Sequence, residues 1–224
     1  MALNGLDFAV HEGEILGLIG PNGSGKTTLF DLITGLLKPD SGEVRFRGQV
    51  MTGLKPHRVC ESGINRTFQL VKPFTKITAA ENVMVGRVFG RNPAATLKQA
   101  SAASTEILDY VGLGDKGDVI AGSLTLHDRK RLELARALAA KPRLLLLDEM
   151  MAGLNPREIE SALELVQNIR DAGVTVIMVE HIVKAVMDIS NRVIVISTGV
   201  KIAEGTPREV VKDQRVIEAY LGSG

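Results

Sequence analysis

A glycine-rich loop at residues 20–27 (GPNGSGKT) lies between a short apolar run and a helical stretch, and few folds accommodate that order. The run at 15–19 is typical of a buried strand, and residues 26–36 are typical of the helix that follows it. A glycine, four residues and then Gly-Lys-Thr is the spacing of a phosphate-binding loop, which requires this strand–loop–helix context. The sequence therefore predicts an α/β fold built around a phosphate site.

The chemistry of such a loop depends on its backbone. Glycines allow the backbone N–H groups to turn inward around phosphates, and the N-terminus of the next helix adds a partial positive charge. Lys26 would reach the β- and γ-phosphates of a nucleotide, and the Thr27 hydroxyl would ligate Mg²⁺. The alternative is a glycine-rich turn that matches by chance, and the flanking strand and helix make it the weaker explanation.

Three further apolar runs are short and nearly continuous, at 144–147, 174–179 and 193–196. Such runs are typical of strands covered by helices on both faces, so we predict a largely parallel sheet. The turn at 197–199 would allow residues 200–203 to pair back on the preceding strand. Residues 216–221 are predicted to form a short tail helix.

The middle of the chain is different, because it is rich in Ala, Leu and Glu and lacks a convincing strand pattern. Residues 96–110 and 129–140 have helical periodicity. We therefore predict one domain of 224 residues, with a core at about 1–77 and 141–224 and a helical subdomain at about 78–140.

Polar side chains at the ends of the predicted strands could act on a bound nucleotide. Asp148 could hold Mg²⁺ through water, and Glu149, on the opposite side by strand alternation, could polarise an attacking water. His181 follows the predicted strand at 176–180, where it could donate to a γ-phosphate and link it to the general base. Considered alone, each of these residues is more simply explained by a salt bridge or by an ordinary hydrogen bond. The catalytic interpretation is favoured only because the chain also has a phosphate-binding loop.

Composition excludes several classes of protein. The chain has 27 Lys and Arg against 26 Asp and Glu, and so lacks the basic excess of a dedicated nucleic-acid-binding protein. Its single cysteine, Cys60, excludes an internal disulfide and fits a reducing cytosol. No apolar run approaches the roughly 18 to 20 residues that span a bilayer, and the first residues do not resemble a signal peptide.

The chain resembles an ATP-binding-cassette (ABC) ATPase, whose motifs it matches in order at 20–28, Gln69, 124–136, 144–149, 152–156 and His181. It is similar in particular to the ATP-binding subunit of a bacterial branched-chain amino acid importer. The segments similar to that subfamily are RTFQ at 66–69, RLELAR at 131–136, AGLNP at 152–156 and VIEAYLG at 216–222.

The resemblance implies a P-loop NTPase (ABC ATPase) core with a mostly parallel sheet and a helical subdomain insert. It also implies that the chain binds and hydrolyses ATP with Mg²⁺. Glu149, His181 and Gln69 would then be catalytic, and the metal would be held by Thr27, Gln69 and Asp148. The residues implied in ATP binding are Asn22, Gly23, Ser24, Gly25, Lys26, Thr27 and Thr28, with Thr125 and His127.

The implied partners are transmembrane permease subunits, a second ATPase subunit in a homodimer or heterodimer, and indirectly a periplasmic substrate-binding protein, with no nucleic acid. The chain would then be cytoplasmic and peripheral on the inner face of the cell membrane. In the family, apolar residues such as those at 70, 71, 74 and 77 line a groove for a permease helix; the plainer alternative is helix packing. Two other functions stay open, an ATPase of another transporter such as a lipopolysaccharide exporter, and a non-transport ABC ATPase.

The chain departs from the family in its signature segment, usually Leu-Ser-Gly-Gly-Gln, which here is LTLHD at 124–128. Thr125 keeps a hydroxyl, and Thr125-x-x-Asp128 predicts a capping box that opens the next helix. His127 replaces a glycine that approaches the partner's γ-phosphate. Its imidazole either donates a hydrogen bond there or obstructs the approach, and we favour donation.

A second departure concerns the adenine. The family usually places an aromatic residue on an early strand, where it stacks on the base. Phe8 is too close to Gly20 and lies in a run, starting near Leu3, that predicts a core strand. We therefore assign no adenine-stacking residue, and we expect reduced adenine affinity and a frayed sheet edge.

Overall fold

The computed structural model describes residues 2–68 and 73–221, which form two compact units. The core unit contains the chain up to Lys55 and from Leu146 onward, and the helical unit is Pro56–Leu145. The helical unit thus takes in residues 56–77, which the sequence prediction left in the core. The assignment of these units to the predicted core and subdomain stays a prediction.

The strands are β1 (Ile15–Ile19), β2 (Arg45–Phe46), β3 (Gln49–Val50), β4 (Ile64–Arg66), β5 (Leu144–Asp148), β6 (Thr175–Val179), β7 (Arg192–Ser197) and β8 (Val200–Gly205). The helices are α1 (Lys26–Ile33), α2 (Pro56–Ser62), α3 (Ala79–Phe89), α4 (Leu97–Tyr110), α5 (Leu126–Ala139), α6 (Pro156–Asp171), α7 (Val183–Ile189), α8 (Pro207–Val210) and α9 (Gln214–Leu221).

The core unit is organised around a sheet with the strand order β5-β6-β1-β7-β8. Strand β1 pairs in parallel with β6 and with β7, with Ile15 opposite Val176 and Leu16 opposite Arg192. Every residue of β1, β5 and β6 is buried, which explains why these strands are continuous apolar runs in the sequence. Strand β8 returns antiparallel to β7, so the predicted hairpin is correct.

Local differences from the sequence predictions have physical reasons. Helix α1 ends at Ile33 rather than at residue 36, because Gly35 takes a left-handed conformation (φ +74°) that ends the helix. Helix α5 begins at Leu126 rather than at 129, capped by Thr125. The run around Phe8 is not a strand, since residues 2–14 make no ladder and Phe8 is only half-buried.

The helical unit is built from α3, α4 and α5, with Val83, Leu108 and Leu132 in its core. Strand β4 lies beside the start of β5, because the Gly63 carbonyl accepts hydrogen bonds from the N–H groups of residues 143 and 144. Helix α3 passes α5 closely at Gly86, where a Cβ would lie 2.4 Å from the Arg136 carbonyl oxygen. Among the described residues, no helix has both the length and the apolar character needed to cross a membrane.

Candidate nucleotide site

The phosphate-binding loop leaves β1 at Gly20 and enters α1 at Lys26, as the sequence predicts. At Gly20 a Cβ would lie 2.0 Å from the carbonyl oxygen of Ile196, so the loop passes too close to β7 for any side chain. Gly25 precedes α1 with φ +105°, and a Cβ there would meet Leu3 at 2.5 Å. The two glycines are therefore required by both conformation and space.

Main-chain contacts hold this loop from both ends of the chain. The Gly199 N–H, in the turn between β7 and β8, donates to the Ser24 carbonyl at 3.1 Å. The Asn4 N–H in turn donates to the Gly199 carbonyl at 2.8 Å. On α9, burial raises the pKa of Tyr220, and a hydrogen bond from the Gly20 backbone opposes that rise. The tail of the chain therefore contacts the first residue of the loop.

Lys26 is folded onto the loop that precedes it. Its Nζ donates to the carbonyl oxygens of Gly20 at 2.8 Å and Pro21 at 3.0 Å, and lies 3.4 Å from Ser24 Oγ. Burial lowers the pKa of Lys26, while the charges of Glu149 and Asp148 act in the opposite direction. The ammonium group is thus held close to two carboxylates and beside the loop, where a phosphate would bind.

The remaining loop residues differ in exposure. Asn22, Gly23 and Thr27 are exposed, Thr28 is half-buried and Ser24 is buried. The Thr27 side chain, in the first turn of α1, is therefore open to a ligand.

Asp148 and Glu149 stand at the carboxyl end of β5. Asp148 is 1% exposed and is the last residue of the strand. Glu149 lies just beyond it and has a left-handed backbone (φ +49°), so strand alternation is not what orients its side chain, contrary to the sequence argument. Its N–H donates to the Val179 carbonyl at 2.9 Å, which ties it to the end of β6.

His181 and Glu149 are in direct contact. His181 Nε2 lies 2.6 Å from Glu149 Oε1, and the tautomer of the ring decides which atom donates. Strand β6 ends at Val179, the last residue of the apolar run at 174–179 and one residue short of the strand predicted at 176–180. The buried carboxylate of Glu180, the next residue, accepts a hydrogen bond from the Met151 N–H at 2.8 Å. Sequence reasoning missed Glu180, although a carboxylate just before His181 at a strand end was a signal for it.

Two predicted metal ligands with oxygen donors lie at the start of α1 and at the end of β5. The exposed Thr27 hydroxyl and the buried Asp148 carboxylate fit Mg²⁺, which prefers a few oxygen ligands together with phosphate and water. Gln69, the third predicted ligand, lies outside the described residues. Within residues 2–68 and 73–221, no group of three or more His, Cys, Asp and Glu side chains could hold a metal by itself.

The signature segment belongs to the helical unit, where Thr125 caps α5. Thr125 Oγ1 accepts from the Asp128 N–H at 3.2 Å, as predicted. The reciprocal half of the capping box is replaced: Asp128 instead accepts from the Thr125 hydroxyl at 2.8 Å and from Lys116 Nζ at 2.8 Å. His127 is half-buried in the first turn of α5.

The predicted permease groove is only partly described, because Leu70 and Val71, like Gln69, lie outside the described residues. Phe74 is exposed, with the Arg136 guanidinium 4.8 Å from its ring centroid, and Ile77 is half-buried. Just before Gln69, the N–H of Phe68 donates to Glu133 at 2.6 Å. The groove stays a prediction.

Two family models match the chain. The model described as ABC transporter matches residues 3–152, and the one described as branched-chain amino acid ATP-binding cassette transporter matches residues 200–224. The second match includes β8 and α9, and therefore Tyr220.

Curated relatives match over nearly the whole chain. The high-affinity branched-chain amino acid transport ATP-binding protein BraF of Pseudomonas aeruginosa is 38% identical, with 99% of this chain and 92% of the relative covered. The lipopolysaccharide export system ATP-binding protein LptB of Haemophilus influenzae is 33% identical, covering 97% and 89%.

Solved structures match the fold as well. An ATP-binding cassette of an ABC transporter in its ADP conformation is 31% identical, with a TM-score of 0.88, and 99% of this chain and 93% of that chain covered. A dimeric ATP-binding cassette in a post-hydrolysis state, bound to ADP and Pi, is 26% identical with a TM-score of 0.83, covering 92% and 91%.

Proposed function

This chain belongs to the ABC transporter family and is an ATP hydrolase of the P-loop type, and from that premise we propose that it powers an importer of branched-chain amino acids. The proposal assigns about 1–77 and 141–224 to the nucleotide-binding core and about 78–140 to the helical subdomain. The same proposal gives the permease subunits and a second ATPase subunit as partners, with a periplasmic binding protein acting indirectly. The chain would then lie on the cytoplasmic face of the membrane.

The observation that carries the catalytic part is the juxtaposition of Lys26, at the start of α1, with Glu149 and His181, which follow the neighbouring strands β5 and β6. The charge of Glu149 acts to raise the pKa of Lys26, against the larger effect of burial, and His181 contacts the same carboxylate. In a parallel α/β sheet, ligands bind outside the carboxyl ends of the strands.

In the proposed mechanism, the loop N–H groups and the start of α1 cradle the β- and γ-phosphates of ATP. Lys26 exchanges the Gly20 and Pro21 carbonyls for phosphate oxygens. Glu149 orients a water and accepts its proton as the water oxygen attacks the γ-phosphorus and the bond to ADP breaks. His181 holds Glu149 and contacts the γ-phosphate.

Mg²⁺, when bound, neutralises charge on the phosphate oxygens during this transfer. The residues proposed to hold it are Thr27 through its hydroxyl, Gln69 through its amide, and Asp148 through water. Asn22, Gly23, Ser24, Gly25 and Thr28 complete the proposed ATP site on this subunit, and Thr125 and His127 are proposed to contact the ATP held by its partner.

The substrate class rests on the match of residues 200–224 and on BraF, whose printed function is branched-chain amino acid transport. The LptB match favours a second candidate, an ATPase for lipopolysaccharide export, at lower identity. The dimeric cassette with ADP and Pi supports an ATP-closed dimer for this chain.

The catalytic proposal is tested with Glu149→Gln, which removes the proposed base and keeps the phosphate contacts. We expect hydrolysis to fall by about 10²- to 10⁴-fold, and ATP to trap a dimer detectable by size-exclusion chromatography. Glu160→Gln is the matched control, because Glu160 is exposed on α6. A Glu149→Gln variant that hydrolyses ATP like the parent would show that Glu149 is not the base.

The substrate proposal is tested with the permease subunits that co-purify with this chain, reconstituted in vesicles. We expect ATP-dependent movement of leucine, isoleucine or valine when a matching binding protein is added. ATP-dependent extraction of lipopolysaccharide without amino acid movement would favour the second candidate instead.

A further inference from the structure

An acidic side chain, Asp128, occupies the start of α5, in the segment at 124–128 that differs from the family signature. Asp128 is 6% exposed and lies in the first turn of the helix. Burial by itself would raise the pKa of Asp128, but hydrogen bonds from Lys116 and Thr125, together with the charges of Lys116 and His127, outweigh burial and lower it. The carboxylate is therefore ionised at neutral pH.

Two side chains hold this carboxylate. Lys116, at the end of a 3-10 turn at Gly114–Lys116, donates its ammonium to Asp128 Oδ1 at 2.8 Å. The Thr125 hydroxyl donates to the other oxygen, Oδ2, at 2.8 Å. Lys116 and Asp128 are 12 residues apart, so no local pattern in the sequence predicts this ion pair.

Hydrogen bonds also fix the segment that precedes α5. Arg129 Nε donates to the Leu124 carbonyl at 2.8 Å, and its Nη2 donates to the Gly122 carbonyl at 3.1 Å. The start of α5 is thus fixed by hydrogen bonds on both of its sides, and Asp128 is an integral part of that arrangement.

The negative charge of Asp128 opposes the role proposed for this segment. The N-terminus of a helix attracts an anion through its partial positive charge, which is about half an elementary charge. A full carboxylate charge in the first turn cancels that attraction and repels a γ-phosphate. Lys116 is in contact with Asp128, and its positive charge offsets the negative charge of the carboxylate. The first turn of α5 then has no net negative side-chain charge from this pair, as it would with a neutral glutamine.

We propose that Lys116 is a positioning residue for ATP-driven closure, because its ammonium group orients Asp128 and cancels the charge that would otherwise repel the partner-bound γ-phosphate. This inference rests on the proposed function, in which the signature segment of one subunit contacts the ATP of the other. Lys116 itself acts through Asp128 and not on the nucleotide.

The test measures ATP-dependent dimerisation in a Glu149→Gln background, where hydrolysis does not disturb the equilibrium. We expect Lys116→Met to weaken dimerisation by about 10-fold or more, since an uncompensated carboxylate then lies in the helix turn that is proposed to approach the partner-bound γ-phosphate. Lys116→Arg should retain most of it. ATP binding by the monomer, measured with a fluorescent ATP analogue at low protein concentration, should stay unchanged, because that site lies on the core unit.

The decisive readout is rescue by removal of the opposing charge. Lys116→Met combined with Asp128→Asn should dimerise like the background, and Asp128→Asn alone should dimerise at least as tightly. Lys98→Met is the matched control, since Lys98 is exposed on α4. A loss that Asp128→Asn does not restore, or no loss at all, would overturn the inference. A Glu149→Gln background that fails to dimerise with ATP would instead contradict the proposed function.

Discussion

His181 Nε2 lies 2.6 Å from Glu149 Oε1, so the carboxylate proposed as general base has its orientation set by an imidazole from the next strand end. Glu149 is nearly buried, whereas about half of the His181 side chain is exposed. The exposed part of the ring is therefore available to a ligand while the buried carboxylate stays in place. We propose that these two residues act as one pair in hydrolysis, so that replacing either should affect it.

His181→Ala should lower ATP turnover by about 10²-fold or more, because Glu149 loses the group that orients it. ATP affinity should change less, since the phosphate-binding loop is intact. A steady-state ATPase assay with a separate nucleotide-binding titration measures both quantities. His57→Ala, on the exposed surface of α2, is the control. Unchanged turnover in His181→Ala would show that the contact has no role in hydrolysis.

Lys26→Ala should abolish nucleotide binding or hydrolysis, because it removes the cation that faces the β- and γ-phosphates. Loss of each hydrogen bond to a charged group costs about 1.5 to 3 kcal/mol, which corresponds to about 10- to 150-fold in affinity per bond. Isothermal titration with ATP measures this loss, with Lys38→Ala, an exposed lysine, as the control. Near-normal affinity and turnover would refute the assignment of the phosphate-binding loop.

His127→Gly, in a Glu149→Gln background, should weaken ATP-dependent dimerisation by about 1 to 3 kcal/mol if the imidazole donates to the partner's γ-phosphate, as we expect. His127→Gln keeps an N–H donor and should retain part of the dimerisation. Tighter dimerisation of the glycine variant would indicate that His127 obstructs the phosphate. No change in either direction would mean that His127 does not contact nucleotide.

Tyr220→Phe should lower the free energy of unfolding by about 0.5 to 1 kcal/mol, because it removes the hydroxyl that contacts the Gly20 backbone and leaves the ring in place. This value is the lower part of the usual contribution of a hydrogen bond, about 0.5 to 1.5 kcal/mol, because Tyr220 is 39% exposed. Urea unfolding of the parent and the variant measures the difference. Equal stability would mean that α9 does not support the loop through this hydroxyl.

The sequence predicts the central strands well and the peripheral ones poorly. Strands β1, β5, β6 and β7 were located within one or two residues, because burial on both faces requires uninterrupted apolar runs. Strands β2 and β3 are two residues long and largely exposed, so they leave no pattern to detect. Phe8 lies in a run that alternates in burial without forming a strand.

The sequence likewise predicts some features of the candidate site and misses others. Lys26, Asp148 and His181 follow from local motifs, since each comes at the end of a predicted strand or at the start of a helix. The contacts of Lys116 with Asp128 and of Tyr220 with Gly20 join distant parts of the chain, and no periodicity encodes them. The backbone of Glu149 was also missed, because a positive φ at a glutamate has no signal in the sequence.

Because of the left-handed backbone at Glu149, stability and activity favour different residues at that position. A left-handed conformation costs an ordinary L-residue about 1 to 2 kcal/mol, and glycine adopts it without that penalty. Glycine at position 149 would thus avoid this backbone cost while removing the carboxylate proposed to accept the proton from water. Selection for a more stable chain and selection for a working ATPase favour different residues at position 149, and a redesign guided by folding energy alone would discard the glutamate.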